Sequence, residues 1–489
     1  MSSCRFVPVP LGRWESRLCW AVWIFHAVSA FVIAYNVSQG RLRMWIQHWL
    51  VDSSYVSGAK TDLSDPEWVH FRQAVGHALA DHVLHSTGFY LAIRFVGPRW
   101  VKLVLGCLGI LLQVHMTSLQ CILILAAFSA LVTWLSTLSR NFVVPWVLCI
   151  AFVLKGSDVV PFTMENHVYY REFNVYLYGA IKILNFCLHM CKNTEKKYRD
   201  VWEDHLVYLA YLPYSMTLIV LFEDFTAQLH TRLPHRTIGS KDLRFVGFFA
   251  VRLIVWYFAY EFVLHFIHVH SIFNSPVEVV HRLSNYEMSA VAYVAGQLFY
   301  NKYVVMFGMP SLFAYLDGMR PPPPPICISR VSRYSRMWRH FDAGLYQFLK
   351  IQVYIPLLSV SVPPVLRILR SLATLAAVFG VVLAWHGAKT HYICWVLLSA
   401  AELVIERIGQ AVWSSAEFQN LRMHIGERNT RRLIALGMLA TVIPGVLPFG
   451  NVALSSGSAG FVFLHLLVLG YFFNNVCLDF ETVREKKKL

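Results

Sequence analysis

His386 is the residue that most needs explaining. It closes the apolar run Val378 to Trp385 and sits in the string Trp385-His386-Gly387. Histidine exchanges protons near neutral pH and can serve as a general base. It can equally sit hydrogen-bonded in a packed core. Burial of an ionisable group in an apolar helix is costly, so such groups commonly mark functional sites. Gly387 allows a substrate or a neighbouring helix to approach closely. Asp342 lies 44 residues earlier, between Phe341 and Leu345 at the start of a second apolar segment. A carboxyl there faces a cavity or a partner. A helix N-cap, or an ion pair with Arg339, accounts for it equally well.

The segment leading to Asp342 is the most unusual in the chain. Pro321 to Pro325 end the preceding helix and force an extended stretch. Arg320, Arg330, Arg333, Arg336 and Arg339 surround Trp338. Guanidinium forks match phosphates. The same concentration also reads as a basic loop on the cytosolic side of a membrane.

These residues must be positioned by helices in lipid. Of 489 residues, 56% are hydrophobic and only 15% charged, whereas soluble domains carry about 25% charged residues. That deficit excludes a large soluble enzyme. The net charge is +15. Its Lys and Arg residues lie in short loops between apolar runs, which points to membrane lipids and an anionic acyl-CoA rather than nucleic acid. Most of the ten cysteines (Cys19, Cys107, Cys121, Cys149, Cys394 and Cys477 among them) lie inside apolar runs, so no disulfide framework is implied.

Apolar segments fall at 18–37, 74–95, 101–117, 119–138, 141–156, 168–190, 206–222, 243–270, 287–316, 344–360, 370–390, 392–412, 433–450 and 459–478. A spanning helix needs about 17–25 residues, and lipid leaves no partner for unpaired backbone. The expectation is an all-α, polytopic helical membrane protein with about 10–12 spans or re-entrant helices, forming one domain over 1–489. The first segment follows Arg5, Arg13 and Arg17, which favours an uncleaved first helix with a cytosolic N-terminus. Residues 38–73 form a polar loop with Asp62, Asp65 and Glu67. His265, His268 and His270 fall on one predicted helix, where 265 and 268 share a face. They offer a relay or metal site, as in a transporter, but no repeat of broken helices supports that class. A non-catalytic scaffold is a third reading.

Together the two segments resemble the membrane-bound O-acyltransferases, whose signature pairs a histidine in an apolar helix with an Asn or Asp some 40 residues earlier. The likeness is greatest to the hedgehog-acyltransferase subgroup. It rests on Met337-Trp338-Arg339-His340-Phe341-Asp342-Ala343-Gly344-Leu345, on Trp385-His386-Gly387, and on Leu316-Asp317-Gly318. Leu264-His265, Val269-His270, Gly450-Asn451-Val452 and Ser456-Gly457 add to it. The resemblance is dense over 260–460. The chain departs from the subgroup between Pro213 and Phe225, where Met216 to Phe225 replaces a Gly-Pro-Ile turn.

The resemblance implies a tunnel across the bilayer. In it a palmitoyl group would pass from palmitoyl-CoA to the N-terminal cysteine amine of a secreted, hedgehog-like protein. Another protein or lipid acceptor is the alternative. It implies His386 and Asp342 as catalytic residues, and Trp338, Arg339, Trp385, Asn451, Arg336 and Arg333 as acyl-CoA contacts. In the same subgroup a cysteine following prolines is associated with haem. That makes Cys327 a candidate ligand of a haem b iron, its thiol pKa lowered by nearby arginines; a free or palmitoylated cysteine is the alternative. The tail Lys486-Lys487-Lys488-Leu489 has the spacing of a dilysine retrieval signal. It suggests the endoplasmic reticulum membrane with a cytosolic C-terminus.

Overall fold

The computed structural model describes residues 9–159, 162, 166–234, 239–387, 389–446 and 459–486. Among them the only strands are a hairpin, Leu50–Asp52 paired antiparallel with Lys60–Asp62. All other regular structure is helical. Four helices are long and apolar enough to cross a membrane: Arg13–Gln39, Leu119–Ser139, Lys241–Leu264 and Pro364–His386. Val101–Met116 and Val143–Gly156 are apolar but shorter. Other long helices fall below that hydropathy because they carry buried polar groups; Asn166–Lys192 holds Arg171, Glu172, Lys182, Asn185 and His189. Trp134, Phe248 and Ile368 stand exposed on the apolar helices, an outer surface suited to lipid.

The helix Arg13–Gln39 packs against Asn285–Leu316 and against Ala459–Lys486, which also packs against Glu427–Val446. On another side, Leu119–Ser139 and the helix from Val143 pack against Asn166–Lys192. The helix Pro66–Phe95 starts where Asp65 caps it, accepting hydrogen bonds from the Glu67 and Trp68 amides with Pro66 in the first turn. Asp and Pro are favoured there because the first amides lack helical partners.

Two expected segments differ. The apolar stretch 206–222 is not a helix through the membrane. A helix Tyr198–Ala210 stops, a 3-10 turn occupies Leu212–Tyr214, and helix resumes at Phe222–Arg232. Pro213 cannot donate a helical hydrogen bond, and Lys182 donates instead to the freed carbonyl of Leu209 at 3.3 Å and also to that of Tyr211 at 3.4 Å, which accepts the Tyr214 amide as well. The predicted helix through His270 likewise ends at Leu264, with a new short helix from Val269. His265 binds the Glu261 carbonyl and Ser53, His268 the His265 carbonyl, and His270 Tyr260. The three histidines therefore do not share one helix. No group of three His, Cys, Asp or Glu placed to hold a metal occurs among the described residues.

Candidate active site

Asp342 sits at a break between two short helices, Tyr334–Phe341 and Ala343–Leu349. Its carboxylate caps the second, accepting from the Leu345 amide at 2.9 Å. The expected N-cap is present, whereas Arg339 lies 5.6 Å over the Tyr346 ring and stays exposed. Burial nevertheless dominates Asp342, pushing its carboxyl up to about 6 against the opposing pull of the Leu345 and Gly344 amides.

His386 ends the helix Arg367–His386, which Gly387 terminates at φ +87°. L side chains rarely adopt that backbone. The His386 ring lies 5.2 Å from Trp395 and 5.5 Å from Tyr392. Trp395 is also 5.5 Å from Trp338, which packs 5.4 Å from Phe379. Trp385 meets Tyr178 edge-on at 5.0 Å, and Tyr178 is within electrostatic reach of Asp342. Aromatic rings thus connect His386, Trp385 and Trp338 to the Asp342 break.

One group was missed by reading the sequence. Glu67, taken as a loop acid, is within electrostatic reach of both His386 and Tyr178. It accepts from Lys302 at 2.7 Å and Tyr303 at 2.9 Å, and Lys302 also binds Asp65 at 2.7 Å. Lys302 is nearly fully buried. A lysine within the long helix Asn285–Leu316 was the available signal, since a buried cation requires a carboxylate partner.

The arginines divide. Arg333 and Arg336 both bind the buried Glu481 of the last helix, at 3.0 and 2.9 Å, and Ser332 donates to the same carboxylate. Arg330 packs 4.8 Å over Phe480. Three of the loop's cations therefore face the C-terminal helix, leaving Arg339 exposed near Asp342. Asn451 lies outside the described residues.

Cys327 is half-buried, and its thiol lies 3.9 Å from Gln297 Oε1. Burial raises its pKa, outweighing the lowering by Arg330; the expectation that arginines would lower it is therefore not met. The described residues offer no support for a haem there, and iron binding would have to remove the thiol proton and replace Gln297 as its neighbour.

The profile of the membrane-bound O-acyltransferase family matches residues 173–427, which include Asp342 and His386. The chain belongs to this family. It is an all-α, multi-pass membrane acyltransferase. Curated relatives include Protein-cysteine N-palmitoyltransferase HHAT of Mus musculus, 26% identical over 456 residues and covering 87% of each chain. Protein-cysteine N-palmitoyltransferase Rasp of Drosophila melanogaster is 28% identical, covering 73% of this chain and 72% of its own. Membrane-bound O-acyltransferase GUP1 of Saccharomyces cerevisiae is 26% identical over 42% of this chain and 35% of its own. In this acyltransferase, the matched region contains the aromatic chain linking Trp338 to His386.

Proposed function

We propose that this acyltransferase moves a palmitoyl group from palmitoyl-CoA to the N-terminal cysteine amine of a secreted, hedgehog-like protein. The similarity to the mouse protein-cysteine N-palmitoyltransferase over 87% of the chain carries the reading. The contact of Tyr178 with Trp385, next to His386 in sequence, and its electrostatic reach to Asp342 support it.

In the reaction the neutral amine attacks the thioester carbonyl. A C–N bond forms, the C–S bond breaks, and CoA leaves as a thiolate that takes up the proton released by the amine. His386 carries that proton, or as imidazolium steadies the developing oxyanion. Asp342 orients groups beside the thioester or shares the proton transfer. Trp338, Trp385 and Arg339 contact acyl-CoA from the cytosolic side, and Asn451 holds the thioester carbonyl. Arg333 and Arg336 would reach a phosphate only by leaving Glu481.

The direct test supplies purified protein with labelled palmitoyl-CoA and a peptide beginning with cysteine. Hydroxylamine-resistant label on the peptide is the expected amide. Complete release by hydroxylamine would refute amide formation. Residence in the endoplasmic reticulum with both termini cytosolic belongs to the same proposal. Replacing Lys486 and Lys487 by serine should let the protein reach the Golgi; unchanged reticulum staining would defeat retrieval by the tail.

A further inference from the structure

Phe341, the residue before Asp342, is held by a different helix. Phe299 and Tyr303 lie four residues apart on Asn285–Leu316, so their side chains fall on one face. Phe341 stacks on Phe299 with ring centroids 5.4 Å apart and meets Tyr303 edge-on at 5.6 Å. The slot between those two rings sets where the chain can enter the Asp342 break.

An ion-paired cluster at the start of Pro66–Phe95 fixes that slot. Asp65 uses its two carboxylate oxygens differently. Oδ1 caps the helix by accepting from the Glu67 and Trp68 amides, and Oδ2 accepts from Lys302 Nζ at 2.7 Å. Lys302 Nζ also donates to Glu67 Oε2 at 2.7 Å, and the Tyr303 hydroxyl donates to the same oxygen at 2.9 Å. The ammonium lies 5.4 Å over the Phe299 ring and 5.2 Å over the Tyr303 ring. The Lys302 side chain is only 5% exposed, so turning either carboxylate away would leave a buried charge short of a partner. One charged cluster thus ties Pro66–Phe95 to the two rings that hold Phe341.

Building on the assignment of Asp342 to the acyl transfer, we propose that Glu67 and Tyr303 are positioning residues for it: their hydrogen bond, anchored by Lys302, keeps Phe341 in its slot and so aims the Asp342 carboxyl. In this role they act through Phe341 and contact neither acyl-CoA nor the acceptor. A misplacement of about 1 Å at a reacting group can cost about 10²-fold in rate. The loss falls on kcat rather than on KM for palmitoyl-CoA.

Tyr303→Phe keeps the ring and removes only the hydroxyl. In the purified full chain it should lower kcat for cysteine-peptide acylation about tenfold or more, with KM for palmitoyl-CoA unchanged. Glu67→Ala should do the same. Glu67→Gln, which can still accept from Tyr303, should recover most of the rate. Because one bond links the pair, the double variant Glu67→Ala with Tyr303→Phe should lose no more than Glu67→Ala alone. Additive losses overturn the proposal, as does a Glu67→Gln variant as slow as Glu67→Ala, or a raised KM at unchanged kcat. 4-Fluorophenylalanine at position 341 reads the slot without any acceptor. Its fluorine resonance should move in Tyr303→Phe and Glu67→Ala, and return towards the wild-type position in Glu67→Gln. A resonance unmoved in all three overturns the proposal. A resonance that moves in a protein that acylates no cysteine peptide supports the slot while refuting the proposed acceptor.

Discussion

A methyl group on Gly344 would overlap the backbone carbonyl oxygen of Ile219, and would lie 3.2 Å from that residue's carbonyl carbon and nitrogen. The helix capped by Asp342 thus rests directly on the non-helical stretch after Pro213. Neither partner in the overlap is a flexible side chain. Gly344→Ala should therefore destabilise the protein by about 1–3 kcal/mol, as overpacking does. It should also displace the Leu345 amide from Asp342 and lower acyl transfer. Thermal unfolding in detergent, read beside turnover, checks this; wild-type values for both would contradict the contact.

Asp342 serves as a cap and as a candidate reacting group, and two substitutions separate those roles. Asn caps helices about as well as Asp, whereas Ala loses about 1 kcal/mol. Asp342→Asn should melt like wild type yet lose acyl transfer by about 10²-fold or more. Asp342→Ala should lose both stability and transfer. An active Asn variant would leave Asp342 only its cap.

The raised Asp342 carboxyl gives a pH signature of opposite slopes. As pH rises through about 6 the carboxylate forms. Activity that requires the carboxylate rises through that value. Stability changes the other way: a raised pKa contributes most below the ordinary carboxyl value, and its contribution falls as pH passes through about 6. Turnover and melting followed from pH 4 to 8, at roughly the scale of that shift, should show both trends. Asp342→Asn should remove them. A wild-type rate independent of pH across 6 would contradict a role for the carboxylate.

Arg333 and Arg336 present a choice between stability and substrate binding. Both are bound to Glu481, and removing one partner of a buried ion pair typically costs about 3–5 kcal/mol. Glu481→Gln should lower the melting temperature sharply. Arg336→Ala should do so as well, with little change in KM for acyl-CoA. A raised KM at unchanged melting temperature would instead indicate phosphate binding.

The sequence made the helices legible because lipid allows few alternatives, and the end of Leu119–Ser139 fell within a residue of its expected place. Trp338, Asp342 and His386 were singled out by the strings that hold them, and the rings of Trp338 and His386 both lie against Trp395. What was not legible depended on distant pairing. The stretch 206–222 is apolar enough for a span, and its break depends on Pro213 together with Lys182, contributed by another helix. Arg333 and Arg336 resembled phosphate ligands because Glu481 lies 148 and 145 residues away in sequence. Glu67 looked solvated until Lys302 and Tyr303 were found to bind it.

The central claim is that His386 carries the acyl transfer. It is tested most directly by measuring palmitoyl transfer to an N-terminal cysteine peptide by purified wild-type protein and by a His386→Ala variant of matched melting temperature. The account predicts a loss of about 10²–10⁴-fold in the variant, the usual contribution of a general base. Wild-type turnover in the folded variant would contradict it.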